Sequence, residues 1–75
     1  MATLQVQIQC PKTGAWSGLT TFRYDEGINR DINRRHAIQS ARLSASNWTR
    51  NYDTFAAMKT RIVETVIGRG AEVLS

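Results

Sequence analysis

Between residues 29 and 50 the chain reads NRDINRRHAIQSARLSASNWTR, and five of the side chains there are arginines. Arg30, Arg34, Arg35, Arg42 and Arg50 stand against one acid, Asp31: five minus one, or +4. Elsewhere Lys12, Arg23, Lys59, Arg61 and Arg69 cancel Asp25, Glu26, Asp53, Glu64 and Glu72, so the formal net charge of +4 resides in this one segment. A guanidinium is a bidentate donor suited to phosphate and to guanine O6/N7, and a glutamine such as Gln39 suits adenine N6/N7. The pattern therefore points to recognition of an anionic partner, DNA or RNA first.

The spacing sharpens this. At about 100° per residue on a helix, Arg35, Gln39, Arg42 and Ser46 form one polar stripe, with Asp31 at its head. Asp31 suits the positive helix N-terminus and can pair with Arg35 one turn on. Arg30, Arg34 and Arg50 would hold phosphates, which set register without reading sequence. Ala37, Ile38, Ala41, Ala45 and Trp48 fall in another sector that would face a core. Arg34 falls in that alanine sector, so the first turn is expected to project beyond the core. Ile28, Ile32 and Leu43 lie nearer the polar stripe than the alanine face, so either the helix bends or these residues meet a second chain.

Aromatic residues supply a second signal. Trp48 and Tyr52 flank Arg50 and sit beside two asparagines, a pattern able to stack bases of a single strand. Phe22 and Tyr24 flank Arg23 in the same way.

Catalytic constellations are weak by comparison. His36 and Ser40 are one helical turn apart, but a serine–histidine pair needs an orienting acid and an oxyanion hole, and no nucleophile-elbow motif accompanies them. Asp25-Glu26 reads as a solvated turn. Gly68-x-Gly70 follows an expected helix instead of opening one, the wrong order for a dinucleotide site. One cysteine, Cys10, and one histidine cannot assemble a three- or four-ligand zinc site or an intrachain disulfide. The expectation is a binding protein, with no enzymatic activity, cofactor or metal.

The elements that must carry these residues are few. Seventy-five residues make one domain, residues 1–75. A chain of that size buries only about 60% of the surface its unfolded form exposes, so a second subunit is a candidate staple. The start, MATLQVQIQ, lacks a basic n-region and a continuous apolar run, and no stretch approaches the roughly 20 apolar residues that span a bilayer. The expected setting is the cytoplasm, where the lone Cys10 stays reduced and the Asn47-Trp48-Thr49 sequon is a chance match.

Residues 4–10 alternate: Leu4, Val6, Ile8 and Cys10 on one face, Gln5, Gln7 and Gln9 on the other, the period of a half-buried strand. Cys10 is expected in the core. Pro11-Lys12-Thr13-Gly14 reads as a turn and residues 19–24, LTTFRY, as a second strand. From Ile28 to Ile67 there is no glycine or proline, which favours helix. The first helix is expected over about 31–46, ending at Ser44, Ser46 and Asn47. A second is expected to start after Asp53 as N-cap and end before Gly68, with Phe55, Ile62 and Val66 on its apolar face. Residues 71–74 are left as a short third strand or a tail.

Trp48 to Ala57, WTRNYDTFAA, resembles the strand–turn–helix junction of small three-stranded DNA-binding domains of the integrase-arm kind. That resemblance covers ten residues and implies a strand over 44–50 with a shortened first helix. The fold expected from the whole chain is α+β: an N-terminal β-hairpin followed by two helices. The expected role is a small basic nucleic-acid-binding protein or accessory factor. The alternative is a protein-interaction module or homo-oligomeric subunit.

Overall fold

A computed structural model describes residues 2–56 and 58–74. In chain order they form β1 (Ala2–Gln9), β2 (Trp16–Tyr24), α1 (Arg30–Asn51), one 3-10 turn (Asp53–Phe55), β3 (Thr60–Val66) and β4 (Gly70–Val73). The strands make a single antiparallel sheet in the order β2-β1-β3-β4. β2 and β3 each run antiparallel to β1 and hence alongside each other in direction, with α1 as the crossover between them.

β1 is the axis of the molecule. Its alternation places Ala2, Leu4, Val6 and Ile8 in the interior and leaves Thr3, Gln5, Gln7 and Gln9 half-buried on the opposite face. α1 lies across the first face. Ala37 and Ala41, one turn apart, let the helix backbone approach Leu4, Val6, Ile62 and Val66 closely. The far face has a polar covering. Arg61 Nε donates to Gln7 Oε1 at 2.7 Å, Gln7 Nε2 donates to Gln5 Oε1 at 2.7 Å, and the Arg61 guanidinium lies 4.1 Å from the Trp16 ring centroid.

The sheet edges are blunted. Val6 pairs with Thr20 and Gln7 with Gly18, so Leu19 is an extra residue that bulges β2. Gly18 lies under the Gln5 side-chain amide, which a Cβ there would displace at its flexible end. At the opposite edge β4 is only four residues long. Bulges and short strands both resist edge-to-edge pairing.

The two expected N-terminal strands are present; the hairpin-plus-two-helices arrangement is not. The second expected helix is replaced by β3 and the start of the β3–β4 hairpin. Five of the seven residues in Thr60–Val66 are β-branched, which suits a pleated strand. Gly68 and Gly70, at φ 88° and 79°, form the turn, with Arg69 N–H donating to Val66 O at 3.0 Å. The residues left open as strand or tail are strand at 70–73. The first helix is longer than expected, 22 residues, and passes through Ser44, Ser46 and Asn47 without a break. Residues 44–50 are therefore helical, contrary to the strand implied by the integrase-arm resemblance.

Candidate nucleic-acid interface

The start of α1 is fixed by the loop that precedes it. Asp25 Oδ1 accepts from Gly27 N–H at 2.8 Å, and Asn29 takes a left-handed conformation at φ 62°, which asparagine tolerates better than most residues. The Asn33 side chain reaches back to the carbonyls of Asp25 and Ile28 at 3.3 and 3.2 Å. These contacts set the rotation of the helix and so decide where each arginine points.

The five arginines divide into two groups. Arg34 turns inward. Its Nε donates to Glu64 Oε2 at 2.8 Å and its Nη2 to Glu64 Oε1 at 3.3 Å. The Tyr24 hydroxyl donates to the same Oε2, and both Tyr24 and Glu64 are buried. The Arg34 hydrogen bond holds the Glu64 carboxyl below its ordinary range, while burial, reinforced by Glu64, pushes the Tyr24 phenol up. Arg30 sits 4.0 Å from Glu26 and 3.4 Å from Asp31, and Arg69 comes within 3.9 Å of Glu26.

Arg35, Arg42 and Arg50 are exposed and form no ion pair among the described residues. Helical spacing from the buried Ala41 puts Ile32, Gln39, Leu43 and Arg50 along the outermost ridge, with Arg35 and Arg42 on its β3-facing flank. An open groove of about 740 Å³ runs along that flank, lined by Asp31, Arg34, Arg35, Ile38, Gln39, Arg42 and Leu43. Asp31, Arg35, Gln39 and Arg42 of the stripe read from sequence thus line one groove with Arg34, which is already committed to Glu64, while Ser46 lies outside it.

Trp48 and Tyr52 come together at the far end of α1. Their rings stack at 5.0 Å and 29°, Phe55 stands edge-on to both, and the Trp48 indole N–H donates to Thr20 Oγ1 at 3.2 Å. The candidate contact residues Ile28, Ile32 and Leu43 are 85%, 52% and 60% exposed. Ile28 and Ile32 lie at the head of α1, apart from Leu43.

The remaining sequence candidates lie elsewhere. His36 and Ser40 are both exposed and share a shallow groove with Asp25, with no hydrogen bond found among the three. Cys10 sits half-exposed at the β1–β2 turn and is not part of the expected core. There its thiol is pulled below the ordinary value, first by the Thr13 hydroxyl. Among the described residues no cluster of three or more His, Cys, Asp or Glu could hold a metal ion, and no helix is long and apolar enough to cross a membrane.

Sequence reasoning missed the Tyr24–Glu64–Arg34 cluster. Its signal was in view on both sides: an arginine in the alanine sector of one element and a glutamate between Ile62 and Val66 in another. Each is anomalous alone, and together they predict a buried pair. Compared with known protein families, with curated proteins and with solved structures, the chain matches none of them.

Proposed function

We propose that this protein binds nucleic acid through the outer face of α1, gripping the phosphate backbone with Arg35, Arg42 and Arg50 and presenting Gln39 between them. It acts without catalysis, as a small accessory factor in the cytoplasm, where a lone thiol stays reduced. The observation that carries the reading is the division of the arginines. Arg30 and Arg34 are occupied by carboxylates of their own chain, whereas three exposed guanidiniums remain on one helix opposed only by Asp31. Such a face attracts a polyanion and repels a second copy of itself. Arg34 then serves to hold the helix in place.

The test is binding of short duplex and single-stranded DNA and RNA across a salt series. Three phosphate contacts give a log–log slope of about −2.7 on duplex, and Arg35→Ala/Arg42→Ala together flatten it by about 1.8. Absence of binding at low salt, or an unchanged slope in the double variant, would overturn the reading.

A second reading has its own support in the exposure of Ile28, Ile32 and Leu43, of which Ile32 and Leu43 share the outer ridge of α1. On that reading α1 meets a protein partner or a second copy. Sedimentation of the free chain distinguishes them: a concentration-dependent dimer that Ile32→Ser/Leu43→Ser dissociates favours the interface, and a monomer at all concentrations removes the self-association form.

A further inference from the structure

We infer that the C-terminal end of α1 is a stacking platform for an unpaired base, so that the strand taken by this protein is single. The inference rests on the nucleic-acid reading above and names the form of its ligand. Tyr52 is supported from behind: its ring lies on Trp48 at 5.0 Å, Phe55 is edge-on at 6.1 Å, and Trp48 is tied to β2 through Thr20. Yet Tyr52 is 52% exposed, so a braced ring still offers surface to solvent. A ring braced in this way loses little freedom when a ligand stacks on it.

Its surroundings fit a base. Trp48 and Tyr52 form part of an open groove of about 450 Å³ that also takes in Ser44, Asn47 and Asn51. Asn47 and Asn51 are one turn apart and exposed, and their side-chain amides make no hydrogen bond among the described residues. Each amide offers two donors and an acceptor, the complement of a base edge. Arg50, three residues on from Asn47 and exposed on the adjoining outer ridge, is placed to receive a flanking phosphate. A base inside a duplex has both faces occupied by its neighbours and cannot stack on a protein ring, which is why the platform selects an unpaired strand. The other tryptophan, Trp16, lies on the far face of the sheet with Arg61 already against its ring, 4.1 Å from the centroid.

The experiment uses the full chain carrying Trp16→Phe, which leaves Trp48 as the single tryptophan. It is titrated with a short oligo(dT), an oligo(rU) and a DNA duplex of equal length. The expected result is quenching of Trp48 emission by the single strands and not by the duplex, with the dT and rU arms showing which sugar is preferred. Tyr52→Leu, which keeps an apolar side chain on Trp48 but removes the ring, should weaken single-strand binding by roughly 10-fold. Duplex affinity should stay put, the thermal midpoint should fall by roughly 5 °C with the lost ring contacts, and Tyr52→Phe should behave as the parent. Equal quenching by duplex and single strand, or undiminished single-strand affinity in a folded Tyr52→Leu variant, overturns the platform and leaves the arginine face standing. Failure of all three ligands to bind at low salt overturns both. The quenching arm needs no change at Tyr52, so the inference stays testable even if Tyr52→Leu does not fold.

Discussion

The guanidinium of Arg34, on α1, grips the carboxylate of Glu64, on β3, through two hydrogen bonds of 2.8 and 3.3 Å. Glu64 is 6% exposed, and among the described residues its other side-chain hydrogen-bond partner is the Tyr24 hydroxyl on β2. One carboxylate thus ties the helix to two strands that β1 holds apart. Arg34→Ala leaves that carboxylate buried with a single donor. The expected cost is about 2–4 kcal/mol, less than for a fully buried pair because about a third of the Arg34 side chain reaches water. Arg35→Ala, at the neighbouring position but pointing outward, should cost less than about 0.5 kcal/mol. Urea unfolding of the two variants side by side checks this; equal midpoints would mean that the Arg34–Glu64 contact contributes nothing to stability.

The same cluster sets a pH dependence with two limbs. The Glu64 carboxyl is depressed from its ordinary 4.5, first by Arg34. Its contribution is therefore complete above that value and is lost as pH falls through the lower, folded-state value. Tyr24 is raised from its ordinary 10.0, first by burial, so its contribution is complete below 10 and is lost as pH rises through the higher folded-state value. Arg30 and Arg34 from the helix, Tyr24 from β2 and Glu72 directly across from Glu64 on β4 are the charged or titratable groups around this centre. Thermal midpoints should form a plateau between these limits and fall on both sides. Glu64→Gln should flatten the acid limb; an unaltered acid limb in that variant would assign acid unfolding to other carboxylates.

Glu64 also explains why half of the fold was hidden in the sequence. β1 and β2 were legible because their apolar and polar residues alternate, or cluster as β-branched and aromatic runs, with Pro11 and Gly14 between them. In β3 the inward row is Ile62, Glu64 and Val66, and the charge in the middle breaks the alternation that marks a strand. With no glycine or proline from 28 to 67, the stretch was open to a helical reading, in which Gly68 becomes a helix stop. The two positive-φ glycines of a hairpin turn, Gly68 and Gly70, carried the contrary signal. A part-buried ion pair joins residues 30 apart in sequence, and no local pattern contains both ends.

The arginine stripe was legible for the opposite reason, since Arg35, Gln39 and Arg42 depend only on helical periodicity. What periodicity could not supply was the fate of each charge. Arg30 and Arg34 look like Arg35 and Arg42 in composition, and only the fold brings Glu26 and Glu64 to the first pair. The meeting of Trp48, Tyr52 and Phe55 likewise depended on α1 running to Asn51 before the chain turned.

The docking of α1 makes a prediction about size. Ala41 is wholly buried between the helix and the residues Leu4, Val6 and Ile62, whereas Leu43, two positions on, is 60% exposed. Ala41→Leu adds three carbons where the helix lies closest to the sheet. The helix must then lift or tilt, and the expected loss is about 1–3 kcal/mol despite the near-equal helix propensities of the two residues. Leu43→Ala removes the same three carbons from the outer ridge and should change stability by less than about 0.5 kcal/mol. Because Arg35 and Arg42 ride on this helix, Ala41→Leu should also disturb the groove between them, whereas Leu43→Ala leaves their spacing intact. Denaturation midpoints of the two variants give the comparison, and a stable, unperturbed Ala41→Leu protein would mean that the alanines do not set the distance between helix and sheet.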